Sequence, residues 1–287
     1  MGVNMRRGDI AVLDSRGFHR LHYQEWGNAD NERVLICVHG LARNSRDFDD
    51  LALALSRNYR VICPDLPGRG ESDWLTNPED YSLPQYVQDM VALIARLGVQ
   101  QVDWVGTSLG GLIGMVIAAQ PGTPIRRLVL NDIGPFIPRA ALARICEYLG
   151  DHRFGSEAEL EGWMRQTYTA LAGLSDRQWQ HLAMHGKRQC ENDLLGLHYD
   201  PAIAHNARRS AGEDVDIWPI WQQVSCPQML LHGEVSDVLS QDVVSRMRAQ
   251  RPDLRVHTLP DIGHAPSLME SDQIALVVDW LRHTQTN

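Results

Sequence analysis

Short apolar segments that end in turn residues alternate along this chain with segments of helical periodicity, and this alternation limits the possible fold more than any other feature. Val34–Val38 and residues 60–65 are such apolar segments, typical of strands that are buried on both faces of a parallel sheet. Residues 48–55, between them, carry apolar side chains at helical spacing. The same order recurs at residues 102–105 and 112–119. Strands that alternate with helices predict an α/β fold with a parallel sheet.

The second half of the chain contains further strand-like and helical patterns. Strands are predicted at residues 128–130, 228–231 and 255–259, and an amphipathic helix at residues 273–281. The sheet therefore continues almost to the end of the chain.

One long segment, residues 135–221, interrupts this alternation. It has no strand-like run, but it has three helical patterns, at residues 140–149, 157–171 and 176–185. We therefore predict an α/β core formed by residues 1–134 and 222–287, with residues 135–221 as a helical cap.

Composition supports a packed globular protein and argues against several classes of partner. Of the 287 residues, 44% are hydrophobic and 22% charged, and the formal net charge is −9 without a cluster of Lys or Arg, so nucleic acid is not an expected partner. The chain shows neither an apolar N-terminal signal segment nor an apolar run long enough to cross a membrane. Five widely spaced cysteines argue against a disulfide framework. We expect a cytoplasmic protein that acts on a small molecule.

A candidate nucleophile lies in the segment Gly106-Thr107-Ser108-Leu109-Gly110, which matches the pattern G-x-S-x-G. A predicted strand precedes it and a predicted helix follows it, which is the context this pattern requires. A sharp turn there would present the hydroxyl of Ser108 in a cleft, and the first N–H groups of the helix would point to the same cleft. Glycine on both sides avoids clashes at such a turn.

A serine nucleophile needs a base and a carboxylate that orients it. His264 follows a predicted strand and precedes the last helix, which suits a base at the edge of the sheet, whereas His232 falls within a strand end. Asp237 and Asp132 both follow strands and are both candidates for the carboxylate. We favour Asp237 because its place in the loop after a later strand fits the chain order Ser, Asp, His of catalytic triads that follow a G-x-S-x-G turn better, and we interpret Asp132 as a turn residue that secures the start of the cap.

Taken together, five segments in this order resemble the α/β-hydrolase family over residues 34–281. The segments are His39-Gly40-Leu41, Asp65-Leu66-Pro67-Gly68-Arg69-Gly70-Glu71-Ser72, Gly106-Thr107-Ser108-Leu109-Gly110-Gly111, Gly233-Glu234-Val235-Ser236-Asp237 and Gly263-His264. The resemblance implies an eight-stranded, mostly parallel sheet with a helical cap after the sixth strand. It also implies that the N–H groups of Leu41 and Leu109 form an oxyanion hole.

The function that this resemblance implies is hydrolysis of a small carboxylic ester or related acyl compound by Ser108, His264 and Asp237, without a metal or an organic cofactor. Haloalkane dehalogenases and epoxide hydrolases carry Asp as nucleophile and are therefore excluded. Hydrolases that cleave a carbon–carbon bond of vinylogous diketones remain an alternative, although their Gly-Pro-Gly after His-Gly is absent. A perhydrolase side activity would use the same triad. A protein that only binds a ligand is the alternative outside catalysis.

Two weaker patterns favour structural interpretations. Gly68-Arg69-Gly70 lacks the remainder of a nucleotide-binding loop, so we interpret it as a turn at the edge of the cleft. His181 and His185 are spaced to share one helix face, as in many zinc sites, but the pattern lacks the Glu of HExxH and no third ligand is evident. We therefore interpret them as ordinary cap histidines.

Overall fold

The computed structural model describes residues 5–283, and the first four residues of the segment searched for a signal sequence lie outside that range. Within it, one sheet has eight strands. They are β1 (Arg6–Leu13), β2 (Phe18–Trp26), β3 (Val34–Val38), β4 (Arg60–Pro64), β5 (Val102–Thr107), β6 (Ile125–Asn131), β7 (Gln228–Gly233) and β8 (Arg255–Leu259).

The order of strands across the sheet is β1-β2-β4-β3-β5-β6-β7-β8. Strand β2 pairs antiparallel with β1 and β4, whereas all the other neighbours pair parallel. The prediction of an eight-stranded, mostly parallel sheet is confirmed. Strands β3 and β5 lie at its centre, where the strand order reverses, so the loops at their carboxyl ends occupy the place where open α/β sheets bind ligands.

Helices cover both faces of this sheet, and further helices lie in the segment between β6 and β7. In chain order they are α1 (Asp49–Leu55), α2 (Leu83–Leu97), α3 (Leu109–Ala118), α4 (Arg139–Tyr148), α5 (Glu157–Thr167), α6 (Asp176–Gly186), α7 (Ile203–Ser210), α8 (Trp218–Trp221), α9 (Gln241–Gln250) and α10 (Ser271–His283). Each of these helices in the described range is too short or too polar to cross a membrane.

Burial of β3 on both faces explains its continuous apolar sequence. Its five residues are all buried, and successive side chains point to opposite faces of the sheet. Val34, Ile36 and Val38 belong to the apolar cluster that contains residues of α2, α3 and α9. Leu35 and Cys37 belong to a second cluster, with residues of α1 and α10. The strand is thus the middle layer of a three-layer fold.

The segment between β6 and β7, which we call the cap, contains helices α4 to α8. It also contains short strands that the sequence analysis does not predict: Phe136–Ile137 pairs with Val215–Asp216, and Leu195–Leu197 pairs with Arg153–Phe154 and Lys187–Gln189. Two or three residues are too few to show an alternating pattern. The cap therefore has helices at the predicted places and small sheets between them, and its bounds at residues 135 and 221 stay a prediction.

Candidate active site

Ser108 stands in a constrained turn between β5 and α3. Its φ of 51° and ψ of −114° are unusual for a residue other than glycine. A Cβ on Gly106 would lie 2.4 Å from the backbone of Gly110, and a Cβ on Gly110 would lie 2.0 Å from the carbonyl oxygen of Val38. The two glycines are needed because backbone passes directly against each of them, and the turn projects the Ser108 side chain beyond the sheet.

His264 lies next to this serine, in the loop that follows β8. Its Nε2 is 2.9 Å from Ser108 Oγ, and its Nδ1 is 2.8 Å from Asp132 Oδ2. The imidazole is 9% exposed and the carboxylate is fully buried. With Nδ1–H donating to the carboxylate, Nε2 presents its lone pair to the serine hydroxyl. The three side chains form a continuous hydrogen-bonded chain.

The prediction that Asp237 is the carboxylate beside His264 is wrong, and the second candidate, Asp132, has that place. Asp237 is 46% exposed and accepts a hydrogen bond from Arg144 Nη2 of α4 at 2.9 Å, with a second, closer contact from Nε. Asp132 accepts from the N–H of Gly233 at 2.7 Å and from the hydroxyl of Ser236 at 2.6 Å, besides its bond to His264.

Strand order gives the physical reason for this difference. Asp132 is the first residue after β6, the neighbour of β5, which leads to Ser108. Its φ of 52° turns the chain at that point. Asp237 comes four residues after the end of β7, which is separated from β5 by β6. The turn after β7 carries Asp237 out to solvent. Gly233 and Ser236, which precede Asp237, donate hydrogen bonds to Asp132.

His232, the rival candidate for the base, has a structural environment. It is buried within β7, and its Nε2–H donates to the carbonyl of Leu239 at 3.1 Å. The structure thus brings together Ser108 and His264, as the sequence predicts.

The loop after β3 places the two candidate oxyanion-hole residues near Ser108. A Cβ on Gly40 would lie 3.6 Å from the Ser108 Cβ, and Leu41 lines the cavity that contains the Ser108 side chain. Leu109 is the first residue of α3, so its N–H has no partner within the helix. Both backbone groups therefore belong to the immediate surroundings of the serine, and their role as an oxyanion hole stays a prediction.

Arg69, which the sequence analysis assigned to a turn, fixes this loop from behind. The side chain is fully buried, and Nε donates to the carbonyl of Leu41 at 2.8 Å. Nη1 donates to the carbonyl of Pro67 and to the hydroxyl of Tyr86, at 2.7 and 2.8 Å. A buried arginine bound to backbone carbonyls holds the peptide that follows Leu41 in one orientation. Glycine on both sides was the only signal of such a close approach.

His39 also stabilises this loop, and its surroundings keep the imidazole in one protonation state. It is fully buried, its Nδ1–H donates to the Gly40 carbonyl at 2.7 Å, and its Nε2 accepts from the N–H of Leu66 at 3.0 Å. Burial lowers the pKa of His39 to about 4, although the charge of Asp65 acts in the opposite direction. The imidazole is therefore neutral at neutral pH.

This protonation state predicts how stability depends on pH. The folded pKa of about 4 is below the unfolded value of ~6.5, so His39 is neutral in both states above pH 6.5. As the pH falls from 6.5 to 4, only the unfolded chain takes up a proton at His39. In this range His39 therefore lowers the free energy of unfolding by about 1.4 kcal/mol for each pH unit of acidification. Urea unfolding of wild type and His39→Asn from pH 4.5 to 7 measures this contribution. Equal slopes in the two proteins would contradict it, as would titration of the His39 imidazole near pH 6.5 by NMR.

Ser108 opens into a cavity of about 110 Å³ between the sheet and the cap. Its wall is mostly apolar, with Leu41 and Phe48 from the core and Ile145 and Leu182 from the cap. The aromatic and apolar residues of the cap divide between two places. Tyr168 and Leu171 line the cavity, and Met164 and Trp179 pack in the interior.

The charged part of the cavity wall comes from the core, which the sequence does not reveal. Arg43 and Asp47 line the cavity and are joined by two hydrogen bonds of 2.7 and 2.9 Å. The guanidinium also lies over the ring of Tyr168, 5.3 Å from its centre. By contrast, the cap arginine Arg165 pairs with Glu161 on its own helix. The charged part of the cavity wall is therefore an ion pair whose two charges neutralise each other.

Comparison with known proteins places this geometry in a family. A family model of the alpha/beta hydrolase fold matches residues 33–270. The chain is 41% identical over 285 residues to a 3-hydroxybutyrate-oligomer hydrolase of Cupriavidus necator, covering 96% of this chain and 97% of that protein. It is 28% identical over 236 residues to a 2-(acetamidomethylene)succinate hydrolase of Mesorhizobium japonicum, covering 80% of this chain and 81% of that protein.

A solved structure supports the same assignment. The crystal structure of an alpha/beta hydrolase from Novosphingobium aromaticivorans superposes with a TM-score of 0.87 at 35% sequence identity, covering 97% of this chain and 99% of that one. Since the family model spans most of the chain and the Cupriavidus necator relative matches it nearly end to end, this protein belongs to the α/β-hydrolase family and is a hydrolase.

Proposed function

We propose that this hydrolase cleaves esters of short hydroxy acids, of the kind found in linear 3-hydroxybutyrate oligomers, through an acyl-enzyme on Ser108. The observation that carries the proposal is the hydrogen-bonded chain from Ser108 Oγ through His264 to Asp132, with distances of 2.9 and 2.8 Å. The 41% identity to the Cupriavidus necator protein, whose name states that substrate, supports the choice of ester.

In the first half of the reaction, Ser108 Oγ attacks the ester carbonyl while its proton passes to Nε2 of His264. The negative charge that develops on the carbonyl oxygen is stabilised by the N–H groups of Leu41 and Leu109, a contribution of ~10²–10³ in rate per donor. The C–O bond of the ester then breaks, and the leaving alcohol takes the proton from His264. The product of this half is an ester between Ser108 and the acyl group.

The second half repeats these steps with water as nucleophile. His264 accepts a proton from water as the oxygen attacks the acyl-enzyme, and returns it to Ser108 Oγ as the carboxylic acid leaves. Asp132 keeps the imidazole in the tautomer whose Nε2 lone pair faces the serine and stabilises the transient imidazolium. Its other hydrogen bonds, from Gly233 and Ser236, hold the carboxylate in that orientation.

The cavity supports a short acyl group. About 110 Å³ is well below the 300–1,000 Å³ of pockets for drug-sized ligands, which favours a short acyl group over a long one. The pair of Arg43 and Asp47 supplies both a donor and an acceptor in a mostly apolar wall, which suits an acyl chain with one hydroxyl group.

In this mechanism the N–H groups of Leu41 and Leu109 form the oxyanion hole, and Asp132, not Asp237, is the carboxylate of the triad. The proposed location is the cytoplasm, which five cysteines, all free in this structure, support.

A substrate panel tests the proposal against carbon–carbon bond hydrolysis and against ligand binding alone. We expect hydrolysis of the linear 3-hydroxybutyrate dimer and of p-nitrophenyl butyrate, and a kcat/KM about 10–100-fold lower for p-nitrophenyl laurate, since its chain exceeds the cavity. A vinylogous diketone should be inert. Turnover of the diketone without ester cleavage would favour the carbon–carbon alternative, and an inert enzyme on every compound would favour the binding protein.

A further inference from the structure

The two cap histidines that the sequence analysis left without a third ligand have one in the structure. His181 and His185 lie one turn apart on α6, with ring centres 4.6 Å apart. Asp49, the first residue of α1 in the core, approaches them, with Oδ2 3.5 Å from Nε2 of His181. One ligand atom from each of the three side chains lies within 4.8 Å of the other two. All three residues are partly buried.

We propose that Asp49, His181 and His185 form a binding site for a divalent transition-metal ion, with Zn²⁺ as the representative ion. Two imidazole nitrogens and one carboxylate oxygen are a ligand set that tetrahedral Zn²⁺ uses, with water as the fourth ligand. Imidazole nitrogen favours transition metals over Mg²⁺ and Ca²⁺, which prefer oxygen. The site does not depend on the proposed ester chemistry.

A cationic group already occupies the space between these ligands. Arg46 donates from Nε to Asp49 Oδ1 at 3.0 Å and from Nη1 to Nδ1 of His185 at 3.2 Å. Because a guanidinium only donates, Nδ1 of His185 accepts this bond with its lone pair and carries no proton, which is the state a metal ligand needs. The protein thus stabilises a positive charge between Asp49 and His185. A metal ion would take the place of this guanidinium, so Arg46 is a competitor for the site.

His181 can change from its present hydrogen bond to metal coordination without a change in charge. Its Nε2 is 3.0 Å from the carbonyl oxygen of Arg46, so Nε2 carries the proton in that bond. Coordination through Nε2 needs the other neutral tautomer, with the proton on Nδ1. Metal binding therefore leaves the imidazole neutral. It requires that the Arg46 side chain moves away and that one proton moves from Nε2 to Nδ1 of His181.

The position of the site gives metal binding a structural consequence. His181 and His185 belong to the cap and Asp49 to the core, so one ion would join the two. Leu182, which follows His181 on α6, and Phe48, which precedes Asp49, both line the active-site cavity. The ion would fix two walls of the cavity against each other, and it should raise the unfolding temperature because it binds only the folded chain.

The test measures Zn²⁺ affinity of the purified, chelator-treated and tag-free full chain by competition with a chromophoric chelator. Besides wild type it uses His181→Ala, His185→Ala and Arg46→Gln. The matched control is His205→Ala, since His205 is an exposed histidine on α7, another helix of the cap, where it pairs with Glu79 of the core. Circular dichroism of each metal-free variant checks the fold. Co²⁺ absorption bands report nitrogen ligation in any variant whose Zn²⁺ affinity is altered.

We expect one equivalent of Zn²⁺ per wild-type chain, with a rise in unfolding temperature. Affinity should fall at least about tenfold in His181→Ala and His185→Ala, because two ligands cannot replace three. It should rise in Arg46→Gln, where no guanidinium competes, and stay unchanged in His205→Ala. The proposal is overturned if binding persists in both histidine variants, if Arg46→Gln loses the ion, or if His205→Ala weakens binding as much as the other two. Should a histidine variant unfold, the direction of the Arg46→Gln effect alone decides.

Discussion

Ser108→Ala is expected to lower kcat for p-nitrophenyl butyrate by about 10⁶, with the fold retained. The substitution removes only Oγ, the atom 2.9 Å from Nε2 of His264, and with it the group that would form the acyl-enzyme. Alanine keeps the Cβ that the turn already accommodates, so the unfolding temperature should change little. Steady-state kinetics and labelling by a fluorophosphonate probe measure the two consequences, and the probe should label wild type but not Ser108→Ala.

The matched control is Ser245→Ala, which removes a hydroxyl from the exposed face of α9, far from the cavity. It should keep both turnover and labelling. If Ser108→Ala hydrolysed esters at a rate comparable to the control, no acyl-enzyme on this serine could be part of the reaction. If neither wild type nor control reacted with the probe while esters were still cleaved, the nucleophile would lie elsewhere.

The central strands could be predicted from the sequence because their burial is independent of context. A strand such as β3, covered on both faces, is apolar at every position, and its bounds are those that the sequence indicates. Helix α6, which has one apolar face, spans Asp176–Gly186 and lies within one residue of the prediction. In both cases a single periodicity and a turn residue at the end are enough.

Other elements had no such signal. Helix α2, Leu83–Leu97, begins with Leu-Pro and was not predicted, although proline is well tolerated in a first helical turn. Strands β1 and β2 form an antiparallel pair at the sheet edge with one partly exposed face, and their mixture of charged and apolar residues resembles a loop. Their structure depends on partners that are distant in sequence.

The candidate site divides in the same way. Ser108 and His264 are marked by local patterns, a glycine-flanked turn and a loop between strand and helix. The choice between Asp132 and Asp237 depends on which strand lies beside β5 and on how far the following turn carries the chain. The local sequence predicts neither the strand order nor the path of the turn. The same holds for Arg69, Arg43 and Asp49, whose contacts join residues from separate loops and helices.

Asp132→Asn is expected to lower kcat by about 10⁴ with little change in KM. In the wild type the carboxylate accepts from three donors: the Gly233 N–H, the Ser236 hydroxyl and Nδ1–H of His264. An asparagine that keeps the Gly233 bond through Oδ1 turns its NH₂ group toward His264. Two donors then face each other, so the imidazole shifts its proton to Nε2 and can no longer accept one from Ser108. Steady-state kinetics with p-nitrophenyl butyrate measures the loss.

The matched change at the other carboxylate, Asp237→Asn, separates this effect from a general loss of negative charge near the site. Asp237 and Arg144 are each more than 40% exposed, and an ion pair at that exposure contributes at most about 1 kcal/mol to stability. Its removal leaves the hydrogen bonds of Asp132 and His264 intact, so kcat should stay within a few-fold of wild type, since the tautomer of His264 is unchanged.

The reverse order, a severe Asp237→Asn and a mild Asp132→Asn, would mean that the loop after β7 rearranges during catalysis and that Asp237 replaces Asp132 beside the histidine. Two mild single variants with a severe double variant would mean that either carboxylate can serve. The bonds from Gly233 and Ser236, which lie in the same loop as Asp237, argue against both outcomes, because bringing Asp237 inward would require that loop to release Asp132.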